Sequence, residues 1–294
     1  MKTEYLDRAN RIATDNISSA QQILKDTLDL LFDFCVTNCE TANFVQELKS
    51  ISTALSNAQS QMSALSNICR LVISASDKLD AEEVALYIDV LRQKVGESSS
   101  RTASEAAKLI VNGKSYATLS QSEFVIKAFE RAANENKAAV VYVMESRPLF
   151  EGRQTARALR KMGHRPILVS DAAIGFFINE IDSAFVGADA ILADGTLVNK
   201  IGSYALAAAC AVAKKNFYAV TSVLKYDSEK NVGGFVNKEE GAHEIFANPE
   251  FEVGNFYFDK VGAELITALV TEVGSFPPLS ELERLNVAMR ELYG

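Results

Sequence analysis

The first 95 residues contain neither glycine nor proline, although the whole chain has 15 glycines and 5 prolines. Glycine supplies backbone conformations with positive φ, and proline removes an amide donor, so a stretch without either residue favours uninterrupted helices. Segments such as LDLLFDFCV and AEEVALYIDVLRQKV also repeat apolar residues at intervals of three and four. The sequence therefore predicts an α-helical N-terminal domain, which we place at residues 1–103.

Residues that hold metals or cofactors are scarce. The chain has two histidines, four cysteines (Cys35, Cys39, Cys69 and Cys210) and no CxxC pair. A zinc site is hard to build from this set, so we interpret the thiols as reduced and mostly buried. Neither GxGxxG nor GxxxxGK[ST] occurs, which disfavours a dinucleotide dehydrogenase or a nucleoside triphosphatase. We expect no metal and no cofactor.

Positive charge is also limited, because the chain has a net charge of −8. This balance argues against an extended nucleic-acid surface but leaves room for a local basic pocket that binds one phosphate. No uninterrupted apolar run is long enough to cross a bilayer, and MKTEYLDRANRIATDN lacks the apolar segment of a secretory signal. These features predict a cytoplasmic protein without a membrane partner.

The pattern changes after GESSSRTAS, a small and polar segment at residues 96–104 that we interpret as a hinge or helix break. Short β-rich runs then alternate with helical stretches such as EFVIKAFERAAN; the runs are SYATL, AAVVYVM, RPILV, AFVGA and NFYAVTSV. This alternation predicts parallel βαβ units in an open sheet covered on both faces. The fold class is therefore α/β, with a Rossmann-like parallel-sheet domain at residues 104–294.

The loops that follow the predicted strands carry the polar residues. In parallel sheets, ligands bind beyond the carboxyl ends of the strands, where loops lead into helix N-termini. The candidate ligand-binding residues in these loops are Ser120, Ser122, Glu145, Ser146, Arg147, Asp189, Asn199, Lys200 and Lys225. Their common placement carries the prediction, because each residue taken alone also has a structural explanation.

Three cations in these loops, Arg147, Lys200 and Lys225, are expected to converge on a pocket suited to an anion. Asp189 and Asn199 would hold hydroxyl groups in the same pocket. A phosphorylated sugar has this mixture of groups, so we expect such a ligand or a nucleotide.

Structural alternatives stay open for single residues. Ser120-x-x-Glu123 fits a capping box, and Asp171 before AAIGFF fits an N-cap. Lys225 could be a solvated charge at the surface. Asp189 follows a buried strand, so a functional and a structural role are equally plausible.

Five segments in order, ESRPLFEG, VGADAI, NKIGSY, KYD and LVTEVG, resemble the family of the α, β and δ regulatory subunits of translation initiation factor 2B. That family also contains ribose-1,5-bisphosphate isomerase and methylthioribose-1-phosphate isomerase, and the resemblance covers roughly residues 110–278. It implies a helical domain followed by a Rossmann-like domain, and a homodimer or higher homo-oligomer. With the segment AQSQMSALSN, it also makes a translation initiation factor a conceivable partner.

The resemblance implies roles for individual residues. The isomerases of the family use a cysteine and an aspartate on opposite sides of the substrate, and the aspartate corresponds to Asp189. The Asn-Lys pair that helps to hold the sugar phosphate corresponds to Asn199 and Lys200, and the arginine of ESRP to Arg147. Ser120 stands where the isomerases carry the catalytic thiol.

Two departures bear on activity. A thiol is readily tuned to exchange protons at neutral pH, whereas a serine hydroxyl needs a base beside it. Neither His164 nor His243 lies in a recognisable partner motif, and the N-terminal part lacks the Arg-Gly-Ala run that isomerases use to grip a phosphate. We therefore interpret Ser120 as a helix cap and ligand contact rather than a nucleophile.

Three functions follow from these observations. The main hypothesis is a non-catalytic, initiation factor 2B subunit-like protein that binds a phosphorylated sugar or nucleotide and acts through protein contacts. The alternative is an aldose-ketose isomerase of a phosphorylated pentose, with Asp189 as the acid-base group. A third is an interaction module whose pocket is vestigial.

Overall fold

The N-terminal part of the fold is helical. The computed structural model describes residues 3–15, 19–58 and 61–294. The helices before the first strand are α1 (Thr3–Ala13), α2 (Ala20–Thr37), α3 (Phe44–Ala58), α4 (Ser63–Ser76) and α5 (Ala81–Ala107). In the segment AQSQMSALSN, residues 59 and 60 lie outside the described residues, and α4 begins directly after the methionine.

Polar side chains fix the starts of two of these helices. At α2, Ser19 Oγ accepts a hydrogen bond of 3.2 Å from the Gln22 amide. At α5, Asp80 and Glu83 form a capping box, in which each side chain accepts a hydrogen bond from the other residue's amide. Such caps satisfy N–H groups that the first turn leaves unpaired, and each contributes about 1 kcal/mol.

Helix α5 runs without interruption through GESSSRTAS, so the predicted hinge or helix break at residues 96–104 is wrong. The reason is that some of the small polar residues of this segment are buried and the others face solvent. Ser98, Ser99 and Thr102 are buried, and their short side chains let the helix approach its neighbours closely. The division of the chain at residues 103 and 104 remains a prediction, and that boundary falls inside α5.

Strands and helices alternate beyond α5. The strands are β1 (Ser115–Thr118), β2 (Val140–Met144), β3 (Arg165–Val169), β4 (Ser183–Val186), β5 (Ala190–Leu192), β6 (Leu197–Lys200), β7 (Asn216–Val220), β8 (Tyr226–Asp227), β9 (Phe258–Val261), β10 (Ala268–Thr271) and β11 (Gly274–Phe276). The helices are α6 (Glu123–Asn134), α7 (Gly152–Lys161), α8 (Ile174–Phe177), α9 (Ser203–Val212), α10 (Pro278–Glu281) and α11 (Glu283–Tyr293).

Seven strands form one sheet in the order β11-β10-β7-β4-β1-β2-β3. All neighbours in this sheet are parallel except β10 and β11, which are antiparallel. The register of β1 and β2 places Thr118 opposite Val143. The predicted α/β fold, with helices first and a parallel-dominated sheet after them, is confirmed.

Both faces of this sheet are buried. In β4, Phe185 belongs to one apolar cluster, whereas its neighbours Ala184 and Val186 belong to another. In β1, Tyr116 and Ala117 divide in the same way. Successive side chains of a strand point to opposite faces, so the two clusters are the two covered faces of the sheet. The cluster that holds Ala184 and Val186 also contains leucines of α2 to α4, so a continuous core joins the helices to the sheet.

A second sheet of four strands, in the order β8-β5-β6-β9, is absent from the sequence prediction. These strands are only two to four residues long, and β6 ends in the polar pair Asn199 and Lys200. Such short runs give neither a clear alternation nor a β-rich composition. The small sheet nevertheless matters, because Asn199 and Lys200 line the main cavity of the fold.

A buried carboxylate, Glu272, ties α5 to the end of the large sheet. Its Oε1 accepts hydrogen bonds of 2.8 Å from the hydroxyl groups of both Ser98 and Ser222. Its Oε2 accepts a hydrogen bond of 3.1 Å from the Val223 amide. The hydroxyl of Tyr293, in α11, lies 3.4 Å from Oε1. The carboxylate therefore joins α5, the end of β7 and the C-terminal helix at one point.

We expect Glu272→Ala to lower the free energy of unfolding by about 2–4 kcal/mol, because it leaves buried donors without their acceptor. Chemical denaturation measures this change. Glu97→Ala is the matched control, since Glu97 is an exposed acid on the same helix. A loss at Glu272 no larger than that at Glu97 would contradict the role given to this carboxylate.

Candidate functional site

The candidate site is a cavity of about 660 Å³ between the helical part and the strand ends of the sheets. Its floor contains the loop after β1, the loop after β4, the end of β6 and the short 3-10 turn Val223–Lys225. Residues of α2 and the turn before α4 form the opposite wall, and part of the segment 236–258 closes one side. A cavity of this size is ordinary for a small-molecule site.

Six of the nine predicted ligand-binding residues line this cavity. They are Ser120, Ser122, Asp189, Asn199, Lys200 and Lys225. They come from separate loops and from the small sheet, so the fold brings together residues as far apart in the chain as Ser120 and Lys225. Their role as ligand contacts remains a prediction.

The other three predicted residues, Glu145, Ser146 and Arg147, do not line the cavity. Arg147 is exposed; its guanidinium donates to the Ile245 carbonyl at 3.1 Å. The expected convergence of Arg147 with the two lysines is therefore not observed. The reason is that the loop after β2 turns its arginine outward.

That loop after β2 has a structural task instead. The amides of Ser146 and Arg147 each donate a 2.7 Å hydrogen bond to the Asp171 carboxylate, so Asp171 holds the loop and does not cap a helix as predicted. The buried Ser146 hydroxyl accepts a 2.7 Å hydrogen bond from the Ser120 amide. Glu145 pairs with Arg153 at 3.1 Å. These contacts hold the loop after β2 in place, and through Ser146 they fix Ser120, which lines the cavity.

Ser122, rather than Ser120, caps helix α6, so the interpretation of Ser120 as a helix cap is wrong. The Ser122 hydroxyl accepts a hydrogen bond from the Val125 amide. Ser120 has a left-handed backbone with φ of 59°, which an ordinary helix cap does not have. Hydrogen bonds from its amide to Ser146 and from Thr155 to its carbonyl hold this conformation.

Close backbone approach explains the glycine of the GAD segment. A Cβ atom added to Gly187 would lie 2.6 Å from the Ser122 hydroxyl oxygen. Only glycine therefore allows the end of β4 to meet the start of α6. Asp189 follows two residues later and lines the same cavity as Ser122.

Lys200 is held by an ion pair. Its ammonium lies 2.8 Å from Glu151 Oε1 and 4.8 Å from the centre of the Tyr257 ring, and the residue is buried. Next to it, the Asn199 side chain donates a 2.8 Å hydrogen bond to the Ser203 hydroxyl. Both side chains are therefore fixed before any ligand arrives.

Lys225 and Asp189 are close enough for the charge of each to influence the pKa of the other, although they form no ion pair. Lys225 is buried, donates a 2.5 Å hydrogen bond to the Ala188 carbonyl and lies 5.3 Å from the centre of the Phe124 ring. Burial lowers the pKa of the Lys225 ammonium, and the nearby Asp189 and Glu123 partly oppose this shift. In the described part of the chain, Lys225 makes no ion pair within 4.0 Å.

Asp189 faces the cavity without a fixed partner. No donor among the described residues forms a hydrogen bond with its carboxyl group, although its amide donates to the Val198 carbonyl. Burial raises the pKa of this carboxyl group, opposed by the positive charges of Lys225 and Lys200. The group can therefore exchange a proton, or a hydrogen bond, with a molecule in the cavity.

Sequence reasoning did not single out several residues that line the cavity. They are Gln21, Gln61, Glu151, Gln154, Lys238, Glu240 and Tyr257. Glu151 stands inside the ESRPLFEG segment, so that motif could have drawn attention to it. The glutamines and the residues of the segment 236–258 have no such signal, because only the packing of helices and loops brings them to the cavity.

Cysteines are missing from this cavity wall as far as the described residues extend. Cys35, Cys69 and Cys210 are buried elsewhere, and burial raises the pKa of each thiol to about 12. Cys39 is exposed. The described residues also contain no helix that is both long and apolar enough to cross a membrane.

A sequence profile described as the initiation factor 2 subunit family matches residues 15–278. The chain belongs to this family. The resemblance that the strand-end segments indicated is thereby confirmed over most of the chain.

Individual relatives carry two kinds of name. A protein of Archaeoglobus fulgidus named ribose 1,5-bisphosphate isomerase is 28% identical over 290 residues, which cover 94% of this chain and 90% of that protein. The solved structure of the Pyrococcus horikoshii OT3 translation initiation factor eIF-2B is 25% identical, with a TM-score of 0.83 over 95% of this chain and 98% of that one.

The fold also recurs in an assembly. In the tetrameric eIF2B-beta2-delta2 complex from C. thermophilum, one chain is 16% identical, with a TM-score of 0.77 over 99% of this chain and 95% of that one. This likeness concerns the fold alone. Two of the relatives, from Archaeoglobus fulgidus and Methanocaldococcus jannaschii, carry the name ribose 1,5-bisphosphate isomerase.

The raised pKa of Asp189 predicts whether its replacement increases or decreases the free energy of unfolding. A carboxyl group whose pKa is raised in the fold makes the free energy of unfolding fall as pH rises from its ordinary value of 3.8 through the raised pKa. Asp189→Asn lacks this loss, so we expect the variant to be more stable than the unmodified chain at neutral pH. Denaturant unfolding between about pH 4 and 8 measures the difference.

Asp182 is the control of opposite sign. A hydrogen bond from the Ser115 amide and the charge of Lys114 lower the pKa of its carboxyl group. The stability that it contributes is present above pH 3.8 and is lost as pH falls through the lowered pKa. Asp182→Asn should therefore destabilise the chain at neutral pH. Equal signs for the two variants would contradict the environment assigned to Asp189.

Proposed function

We propose that the cavity binds a phosphorylated sugar or nucleotide, and that the chain acts as a non-catalytic member of its family. Ligand binding is supported by Lys225, a buried lysine without an ion-pair partner in the described residues, beside the start of α6. A lysine and helix N-terminal N–H groups together suit a phosphoryl group. Asp189 and Asn199 lie on the same floor and offer oxygen and amide groups to sugar hydroxyls.

The lack of turnover is supported by the residues around Ser120. Among the described residues, neither a histidine nor a cysteine lines the cavity wall that holds the Ser120 hydroxyl. An isomerase must remove a proton from carbon and return one to the neighbouring carbon. One free carboxyl group, that of Asp189, can serve one side of the sugar, but a serine hydroxyl is a weak acid for the other side.

Action through protein contacts is supported by exposed apolar side chains near α9. Phe176 and Val212 are each 86% exposed, and Tyr204 is 53% exposed. These side chains lie on α8 and α9, which contact each other on the outside of the sheet. We propose that the chain forms a homodimer or higher homo-oligomer, with a translation initiation factor as a further partner.

We expect titration calorimetry to detect binding of sugar phosphates or nucleoside monophosphates, and Lys225→Met to weaken it by about 10–100-fold. The reason is that a charge-assisted hydrogen bond contributes about 1.5–3 kcal/mol. Lys161→Met is the control, because Lys161 is exposed on α7 and outside the cavity. Thermal unfolding verifies that both variants are folded. Silence from every ligand would contradict the proposal and favour an interaction module.

A second candidate function is aldose-ketose isomerisation of a phosphorylated pentose. It is favoured by the raised pKa of the free Asp189 carboxyl group and by the names of the relatives. In this reaction the Asp189 carboxylate would accept a proton from one substrate carbon, and the resulting carboxyl group would return a proton to the neighbouring carbon. Bound water or another side chain would have to serve the opposite side of the sugar.

A coupled assay of the isolated chain with ribose 1,5-bisphosphate decides between the two functions. If the chain is an isomerase, Asp189→Asn abolishes turnover, while Ser120→Ala leaves it unchanged. If it is a binding protein, ligand binds without turnover in all three forms. Turnover in the unmodified chain that depends on Asp189 would replace our first proposal by the second.

A further inference from the structure

Positive charge is concentrated on helix α7, away from the cavity. Residues 145–165 contain six cations and two acids, a net charge of +4, whereas the whole chain has a net charge of −8. Four of these cations lie on α7 itself and are exposed: Arg153, Arg157, Arg160 and Lys161. We call these four side chains the basic face. On an acidic protein, such a segment produces a local positive potential that attracts negative groups.

Three cations of the basic face have no partner within the chain. In the part of the chain that the structure describes, the side chains of Arg157, Arg160 and Lys161 form neither an ion pair nor a hydrogen bond. Both acids of the segment are already engaged. Glu145 pairs with Arg153 at 3.1 Å, and Glu151 pairs with a lysine of the cavity at 2.8 Å. The segment therefore has no acid left to neutralise the three cations.

The basic face forms a straight stripe on the solvent side of α7. An α-helix turns by about 100° per residue, so positions 153, 157, 160 and 161 fall within about 100° around the helix axis. The buried residues of α7, which are Gly152, Thr155 and Leu159, lie on the opposite side and pack against the sheet domain. Between positions 153 and 161 the helix rises by about 12 Å. The stripe is therefore short, narrow and rigidly supported.

The chemistry of the basic face suits carboxylates on another helix. Three of its four side chains are arginines, whose guanidinium groups bind carboxylates in bidentate pairs. Its cations at positions 153, 157 and 161 follow one another at about 6 Å along the axis. Acidic residues four positions apart on a partner helix have the same spacing. A partner helix that lies alongside α7 can therefore match the cations one by one.

Other occupants fit this face less well. A nucleic-acid strand would continue beyond a stripe of about 12 Å and meet a chain whose net charge is −8. Addition of a partner strand to the neighbouring edge strand β3 is disfavoured, because Pro166 removes an amide donor from that strand. The occupant that matches both the length and the charge of the stripe is a short acidic segment.

We propose that the basic face of α7 binds an acidic helical segment of another protein, with carboxylates at four-residue spacing. This inference rests on the proposed action through protein contacts and names the chemistry of the partner. The ligand of the cavity and the exposed apolar side chains of α8 and α9 take no part in it. Arg157, Arg160 and Lys161 pair with the partner's carboxylates, while Arg153 stays with Glu145.

Fluorescence anisotropy with two labelled, alanine-rich peptides tests this assignment. The first peptide carries three glutamates at intervals of four residues, which share one helix face, and the second carries them at intervals of five, which do not. At low salt we expect the first peptide to bind at least about tenfold more tightly, because only its carboxylates all reach the cations. Equal affinities, or no binding of either peptide, would overturn the inference.

Charge reversal identifies the surface that the first peptide occupies. Arg157→Glu should weaken its binding by at least about tenfold, because the change sets like charges against each other. Arg101→Glu is the matched control, since Arg101 is an exposed arginine of α5 without an ion pair among the described residues. Thermal unfolding verifies that both variants are folded. Equal losses in the two variants would place the peptide elsewhere and contradict the proposal.

Two further measurements separate this partner from other occupants. A single-stranded oligouridylate that binds more tightly than the first peptide, and loses affinity in Arg157→Glu, would overturn the inference in favour of nucleic acid. Self-association of the unmodified chain that Arg157→Glu abolishes, measured by sedimentation, would overturn it in favour of a second copy. Titration of Arg157→Glu with sugar phosphates should match the unmodified chain, so a failed peptide test leaves the cavity proposal intact.

Discussion

The buried carboxylate of Glu272 is the contact on which the cavity depends. It accepts hydrogen bonds from Ser98 in α5 and from Ser222 and Val223 after β7. The same turn ends at Lys225, so the carboxylate that attaches the long helix also orients the lysine of the site. Because one wall of the cavity comes from the helices and its floor from the sheets, loosening this joint would separate the two.

Electrostatics within the cavity follow from burial more than from the number of charges. Lys200 and Lys225 are both buried, but only Lys200 has a carboxylate within ion-pair distance in the described residues. Burial pushes Lys225 towards its neutral form and Asp189 towards its protonated form, and each charge opposes the other's shift. A bound anion near Lys225 would restore the ammonium, which makes that lysine responsive to ligand charge.

The same features explain why membership of the family does not settle activity. The frame of the site, with Asp189, Asn199 and Lys200 on strand ends, is compatible with both kinds of name found among the relatives. Ser120 sits in a left-handed turn whose amide and carbonyl are both hydrogen-bonded to neighbouring loops. Its conformation is thus fixed by supporting contacts, and its hydroxyl has no base beside it on the described wall.

Prediction from the sequence succeeded where the signal was local and failed where the structure depends on contacts between distant parts of the chain. The absence of glycine and proline indicated helices, and the β-rich runs indicated β1, β2, β3, β4 and β7. The small sheet was missed because its strands are too short for any periodicity. GESSSRTAS was misinterpreted as a break because its polarity suggested solvent, whereas Ser98 and Thr102 find hydrogen-bond partners inside the protein.

For the candidate site, the sequence identified Asp189, Asn199, Lys200 and Lys225. The topology of the parallel sheet accounts for Asp189 and Lys225, which follow β4 and β7. Asn199 and Lys200 reach the cavity through the small sheet, in which β6 is antiparallel to both of its neighbours. The sequence could not exclude Arg147, since the direction of a side chain depends on how its loop is anchored, here through Asp171. The sequence by itself determined that helices come first and that five strands of the large sheet alternate with helices after them, through local periodicity and turn residues. Only the tertiary structure decided which charges are paired and which face the cavity, because pairing and burial arise from contacts between distant segments.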